Sequence, residues 1–183
     1  ALNQEVRVGK TASAIEVDGN VGEKEWQDAS AISGFIDNDK AGAAETQTTV
    51  QMTYDDKNLY IAFNSNIPRE ARNMPEQRLL KGILKRTKVN HDVNVEADDA
   101  FRVVIIPRYP KGSKYLLTVN GINTHYEYSI SPDGGIALGW DPAWETASTV
   151  SMAGWTTEMR IPLADLDIAE IKQGERWKFQ FSR

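Results

Sequence analysis

Short β-rich runs, each closed by residues that favour turns, recur along this chain at roughly eight-to-fourteen-residue intervals, and that rhythm admits few folds. Gln47 to Tyr54 and Leu59 to Phe63 are split by Asp55-Asp56-Lys57-Asn58, which predicts a hairpin. Tyr115 to Val119 and Thr124 to Ile130 flank Asn120-Gly121, a second hairpin signal. Thr149 to Met152 and Thr156 to Ile161 pair around Ala153-Gly154, and Trp177 to Phe181 alternates aromatic and polar residues. Phe101-Arg102-Val103-Val104-Ile105-Ile106 is apolar on both faces, as expected of a central strand, and Pro107 and Pro110 end it. The pattern predicts an all-β chain, an antiparallel β-sandwich of jelly-roll or immunoglobulin-like layers, and not an α/β fold. With 183 residues and 40% hydrophobic content, one domain spanning 1–183 is the expectation.

Departures from the β rhythm are few. Ile15-Glu16-Val17 reads as a short strand stopping at Asp18-Gly19. Asn20-Val21-Gly22-Glu23 has the spacing of a capping box, so a short helix over Lys24 to Asp28 is expected, with Trp26 as its buried anchor. Between Pro68 and Asn90, Pro75 and the stripe Leu79, Leu80, Ile83 and Leu84 predict a helical insertion near 69–90, weakened by Gly82.

Composition removes several function classes. There is no cysteine, so neither a disulfide framework nor thiolate chemistry is available. A formal charge of -5 argues against nucleic acid as a partner, because phosphate neutralisation needs a basic face. The charge is uneven: residues 69–88 carry +5 and the remainder -10, which leaves one patch able to meet an anion. No run of about twenty apolar residues exists to cross a membrane. The first residues lack signal-peptide character, so a removed leader or a cut-out domain is the expectation. No Gly-rich phosphate loop or His-Glu-x-x-His pattern appears, and His91 and His125 have no triad partners at recognisable spacing.

Four fragments then stand in a telling order: Val17-Asp18-Gly19-Asn20-Val21-Gly22-Glu23-Lys24-Glu25-Trp26, Val50 to Phe63, Asp98-Asp99-Ala100-Phe101-Arg102-Val103, and Gly154-Trp155-Thr156-Thr157-Glu158-Met159-Arg160-Ile161-Pro162. Together they resemble the family 9 carbohydrate-binding modules over nearly the whole chain. Trp140-Asp141-Pro142-Ala143-Trp144 and the Trp-x-Phe-x-Phe-x-Arg run at Trp177 to Arg183 are similar to segments of the family 9-like domain at the N-terminus of larger secreted or outer-membrane bacterial proteins. The resemblance implies a non-catalytic sandwich that holds the end of a sugar chain between two tryptophans, often with structural calcium. It also implies an extracellular, periplasmic or outer-surface location and other domains of a parent protein as partners. The family's site residues do not carry over: its first sandwich tryptophan aligns in the stretch Val95-Glu96-Ala97, its glutamate with Arg102, its arginine with Thr118, and its second tryptophan beyond Arg183.

Candidate ligand-binding residues are Trp140, Trp144, Arg102, Asn120, Tyr126 and Tyr128. Sugar C–H faces stack on flat aromatics, and Pro142 stiffens the loop that bears the two tryptophans; alternatively Trp144 plugs the core and Trp140 covers a sheet edge. Tyr126, Tyr128 and Asn120 offer the hydrogen bonds that orient a polyol, while the tyrosines serve equally well as a cross-strand pair. Arg102 is either ion-paired with Glu127 or Asp99 or forms a fork for vicinal hydroxyls or a sugar acid. For calcium, Glu96, Asp98 and Asp99 supply hard oxygens without the spacing of a calcium loop, and a solvated acidic turn is their other reading. Glu127, Asp141 and Glu158 are the carboxylates whose meeting would suggest glycoside hydrolysis.

Three functions follow: a glycan-binding module, a ligand-less scaffold or docking domain, and a haem-binding electron-transfer sandwich. The last draws on Met52, Met74, Met152, Met159, His91 and His125 as axial-ligand types, with no spacing that singles out a pair.

Overall fold

The computed structural model describes residues 4–22, 24–37, 42–67, 95, 98–152 and 154–183. The helical insertion expected near 69–90 lies outside them, as do Glu23, Met74, His91 and Glu96. The chain is all-β, with two antiparallel five-stranded sheets of a β-sandwich and a small two-stranded ribbon. The strands are β1 (Ser30–Ile32), β2 (Ile36–Asp37), β3 (Gly42–Ala43), β4 (Thr48–Tyr54), β5 (Asn58–Ser65), β6 (Ala100–Ile106), β7 (Lys114–Asn120), β8 (His125–Ile130), β9 (Ile136–Ala137), β10 (Glu145–Ser151), β11 (Gly154–Pro162) and β12 (Lys178–Ser182). Two compact units emerge, one built on the sheet β1-β4-β5-β11-β10 and the other on β12-β6-β7-β8-β9.

In the first unit, the β4–β5 hairpin pairs from Thr48 opposite Ser65 to Tyr54 opposite Leu59. Asp55 makes its turn: Oδ1 accepts from the amides of Lys57 and Asn58, each at 2.7 Å, and Oδ2 accepts from the Tyr60 hydroxyl at 2.8 Å. β5 is buried on both faces, from Leu59 to Phe63. One of those faces is covered by the segment before β1, where Ile15, Val21 and Trp26 cluster with Tyr60 and Ala62.

Trp26 is the expected anchor, 1% exposed, but it sits in a single 3₁₀ turn over Lys24–Trp26 and not in a longer helix. The strand expected at Ile15 to Val17 is absent. Its Glu16 amide donates to the Glu25 side chain at 2.9 Å, so a side chain replaces the neighbouring strand that a ladder requires.

Glu158 of β11 ties this segment down. Its Oε1 accepts from the Trp26 indole N–H at 2.6 Å, and its Oε2 accepts from the amides of Asp18 at 2.9 Å and Gly19 at 2.6 Å. Two of the four fragments singled out in the sequence thus meet at one fully buried carboxylate. Gly19 is required there: its φ is +90°, and a Cβ would stand 2.8 Å from Thr149 Oγ1.

In the second unit, β6 is flanked by β12 and β7. It was expected to be apolar on both faces, yet its burial alternates: Phe101, Val103 and Ile105 are fully buried, while Arg102, Val104 and Ile106 are half-buried. One face of this strand is therefore core and the other is half-buried. The Asn120-Gly121 hairpin is present as β7 and β8, in register from Lys114 opposite Ile130 to Val119 opposite His125. On β12 the alternation stacks rings along the strand, with Phe179 and Phe181 centroids 5.8 Å apart and nearly parallel.

Candidate functional site

Strand register decides which candidate residues share a face. Across the second sheet one row runs Ser182, Arg102, Thr118, Tyr126, and the next row on the same face runs Gln180, Val104, Leu116, Tyr128. Arg102, Tyr126 and Tyr128, each half-buried, are thereby brought together on one face, around the buried Thr118 and Leu116. Arg102 Nε donates to Thr118 Oγ1 at 3.4 Å, and the Tyr126 and Tyr128 rings lie 5.8 Å apart at a 52° tilt. Glu127 pairs with Leu117 and points to the buried face, so the ion pair expected between Arg102 and Glu127 is excluded by strand alternation.

Two other candidates are drawn into the interior. Asn120 is fully buried: its Nδ2 donates to Asp98 Oδ2 at 3.1 Å, and its Oδ1 accepts from the amides of Ile122 at 3.1 Å and Thr124 at 2.9 Å. These bonds build the β7–β8 turn, which is why the residue before Gly121 is an asparagine. They leave no exposed polar atom for a ligand, so here the structure departs from the ligand-binding expectation for Asn120. Trp144 is 5% exposed and packs on His125, ring centroids 4.2 Å apart, in keeping with a core plug and with no open face for a sugar.

Trp140 stands apart from Arg102. It is half-buried against Tyr115, centroids 5.0 Å apart, and lines a shallow cleft of about 330 Å³ with Ser113, Ser129, Ser131, Ile136, Asp165 and Asp167. Tyr115 and Ser129 are paired and lie on the face opposite Arg102 and Tyr126. The Tyr115 hydroxyl donates to Asp167 Oδ2 at 2.9 Å, and burial together with this carboxylate pushes the phenol up to about 12. Asp165 Oδ2 accepts from the Ala143 amide at 2.9 Å, which fixes the loop after Trp140.

The calcium candidates are dispersed in role. Asp98 is buried and bonded to Asn120, Asp99 is half-buried, and Glu96 lies outside the described residues. No group of three His, Cys, Asp or Glu side chains able to hold a metal ion occurs among the described residues. Of the haem-ligand types, Met52 and Met159 are buried, Met152 is half-buried, and His125 packs on Trp144. No helix among the described residues is long and apolar enough to cross a membrane.

No family model and no curated protein matches the chain. Solved structures do. A family 9 carbohydrate-binding module from Caldicellulosiruptor kristjanssonii in complex with cellotriose aligns with a TM-score of 0.60 at 15% identity, over 95% of this chain and 74% of that one. The same organism's module in complex with glucose gives 0.61 at 16%, over 95% and 75%. This chain has the family 9 fold. A putative carbohydrate-binding protein from Bacteroides uniformis aligns likewise, with a TM-score of 0.64 at 10% identity over 95% and 80%.

In the second sheet, the two positions that the sequence resemblance aligns with a site glutamate and a site arginine are Arg102 and Thr118, and the register sets them directly opposite each other. Sequence reasoning found the first and treated the second only as a mismatch. It did not single out Tyr115, Asp165 or Asp167 at all. The alternation of Tyr115 with Leu117 and Val119 marks it as core-facing, so only the position of the cleft at the strand's end reveals it.

Proposed function

We propose that this chain is a non-catalytic carbohydrate-binding domain of a larger secreted or cell-surface bacterial protein, and that it holds its ligand on the face bearing Arg102, Thr118, Tyr126 and Tyr128. The observation that carries the reading is the cross-strand row in which Arg102, Thr118 and Tyr126 stand side by side with Tyr128 one step along. A guanidinium fork suits vicinal hydroxyls, the buried Thr118 hydroxyl holds that fork by accepting from Arg102 Nε, and tilted phenol rings offer apolar faces with polar tips. The fold shared with modules solved in complex with glucose and cellotriose supports a saccharide as the ligand. The non-catalytic reading is supported by two of the candidate acids: Glu158 is taken up by Trp26, Asp18 and Gly19, and Glu127 points away from Arg102.

Calorimetry with glucose, cellotriose and a panel of other mono- and oligosaccharides tests this. We expect weak, saturable binding of at least one sugar without turnover, reduced about tenfold or more by R102A, since loss of a charge-assisted bond costs about 1.5–3 kcal/mol, and reduced by a smaller factor by Y126A. Absence of heat with every sugar would replace this reading with the ligand-less docking domain.

A further inference from the structure

The Trp140 cleft differs in character from the Arg102 face. Its lining carries two carboxylates, Asp165 and Asp167, two aromatic rings, Trp140 and Tyr115, and the hydroxyl-bearing residues Ser113, Ser129 and Ser131. No lysine or arginine lines it among the described residues. Its volume of about 330 Å³ suits one small ring, at the low end of small-molecule sites. Ile136 in its wall is 63% exposed, and Leu138, two residues along the chain, is 70% exposed.

We infer that this cleft is a second binding site, and that it takes an amino-bearing saccharide in its protonated form. Aromatic faces attract cations and also stack on sugar C–H groups, so Trp140 serves both halves of such a ligand. The carboxylates supply the charge complement, and their geometry is set in advance. Asp165 is held by the Ala143 amide, and Asp167 is held by the Tyr115 hydroxyl and by a left-handed backbone conformation, φ 56°, at the end of the 3₁₀ turn Leu163–Leu166. Aspartate is among the few non-glycine residues that adopt this conformation readily, and its carboxylate is exposed. Neutral phenol at Tyr115, with its titration raised to about 12, keeps that hydroxyl a donor to Asp167 across the physiological range. With two carboxylates and no lysine or arginine in its lining among the described residues, the cleft attracts a cationic amine over a neutral sugar.

The inference does not rest on the Arg102 face, and the test separates the two. Binding of glucosamine, β-1,4-linked glucosamine trimer, N-acetylglucosamine, glucose and butylammonium is measured by calorimetry, at a pH where the amines are protonated, and by the shift of the Trp140 indole N–H signal. The expected result is binding of glucosamine or its trimer at least tenfold tighter than N-acetylglucosamine, glucose or butylammonium. That binding weakens at high salt and falls at least tenfold in W140A and in D167N, and it persists in R102A. D167N is nearly isosteric and keeps a residue type that tolerates the left-handed backbone, so it reports charge without disturbing the turn. No binding of either amino sugar, equal binding of N-acetylglucosamine or butylammonium, or loss of amino-sugar binding in R102A with W140A unaffected would each overturn the proposal. A sample that binds amino sugar here and no sugar at Arg102 would sustain this inference while removing the other.

Discussion

Glu158 illustrates how one side chain can organise a segment that has no ladder of its own. It accepts three N–H donors from the turn and the 3₁₀ element that precede β1, and it is fully buried. Burial pushes its carboxyl up, and the hydrogen bonds from Gly19, Trp26 and Asp18 pull it back only in part. The neutral form is thus favoured in the fold relative to the open chain. Stability should fall as pH rises from the unfolded glutamate value, about 4.3, through the higher folded value, and then level off. E158Q should lose this slope and about 1–3 kcal/mol, because an amide nitrogen would face an N–H that now has no acceptor. Denaturant unfolding of both proteins across pH 4 to 8 reads both effects. A wild type whose advantage over E158Q grows steadily as pH rises would contradict the assigned direction.

Hairpins are the elements on which local chemistry acts most directly. Asp55 closes the β4–β5 turn through its bonds to Lys57, Asn58 and Tyr60. Desolvation alone would raise its carboxyl, but those donors outweigh it and hold the group below the ordinary aspartate range. A depressed folded value means stability that is present above the unfolded value, about 3.9, and lost as pH falls below it. D55A should therefore cost about 1–2 kcal/mol near neutral pH and progressively less in acid. Equal cost at pH 7 and pH 2.5, measured by urea melts, would show that the turn does not depend on the carboxylate. The same chemistry explains why the turns at Asp55-Asp56-Lys57-Asn58 and at Asn120-Gly121 were legible in the sequence: each is closed by a side chain a few residues from its partner. Ile15 to Val17 was misread for the opposite reason. Its alternation suits a strand, but what it bonds to is decided nine residues further along, at Glu25.

At the scale of the whole molecule, the first residues of the chain are part of its core. Ile15, Val21 and Trp26 cover Tyr60 and Ala62, which would otherwise face water on β5. A chain shortened to begin after Ala29 should expose that surface, melt at a lower temperature and associate in solution. Scanning calorimetry with light scattering checks this, and an unchanged, monomeric melt would remove the segment from the core. The two candidate binding regions also belong to this scale, since they occupy opposite faces of one sheet.

The amino-acid sequence by itself determined the longer strands, most of the turns and the class of fold, but not the short β1, β2, β3 and β9, because a two-residue period needs several positions to show itself. It also marked Trp26 as an anchor. Which candidates would meet was decided only in the folded chain. Pairing register put Arg102 beside Thr118 and Tyr126, turned Glu127 inward, enclosed Asn120 and Trp144, and left Trp140 with Tyr115 and Asp167. The physical reason is that a side chain's face depends on its parity within a strand, whereas its neighbours depend on hydrogen bonds to strands distant in sequence.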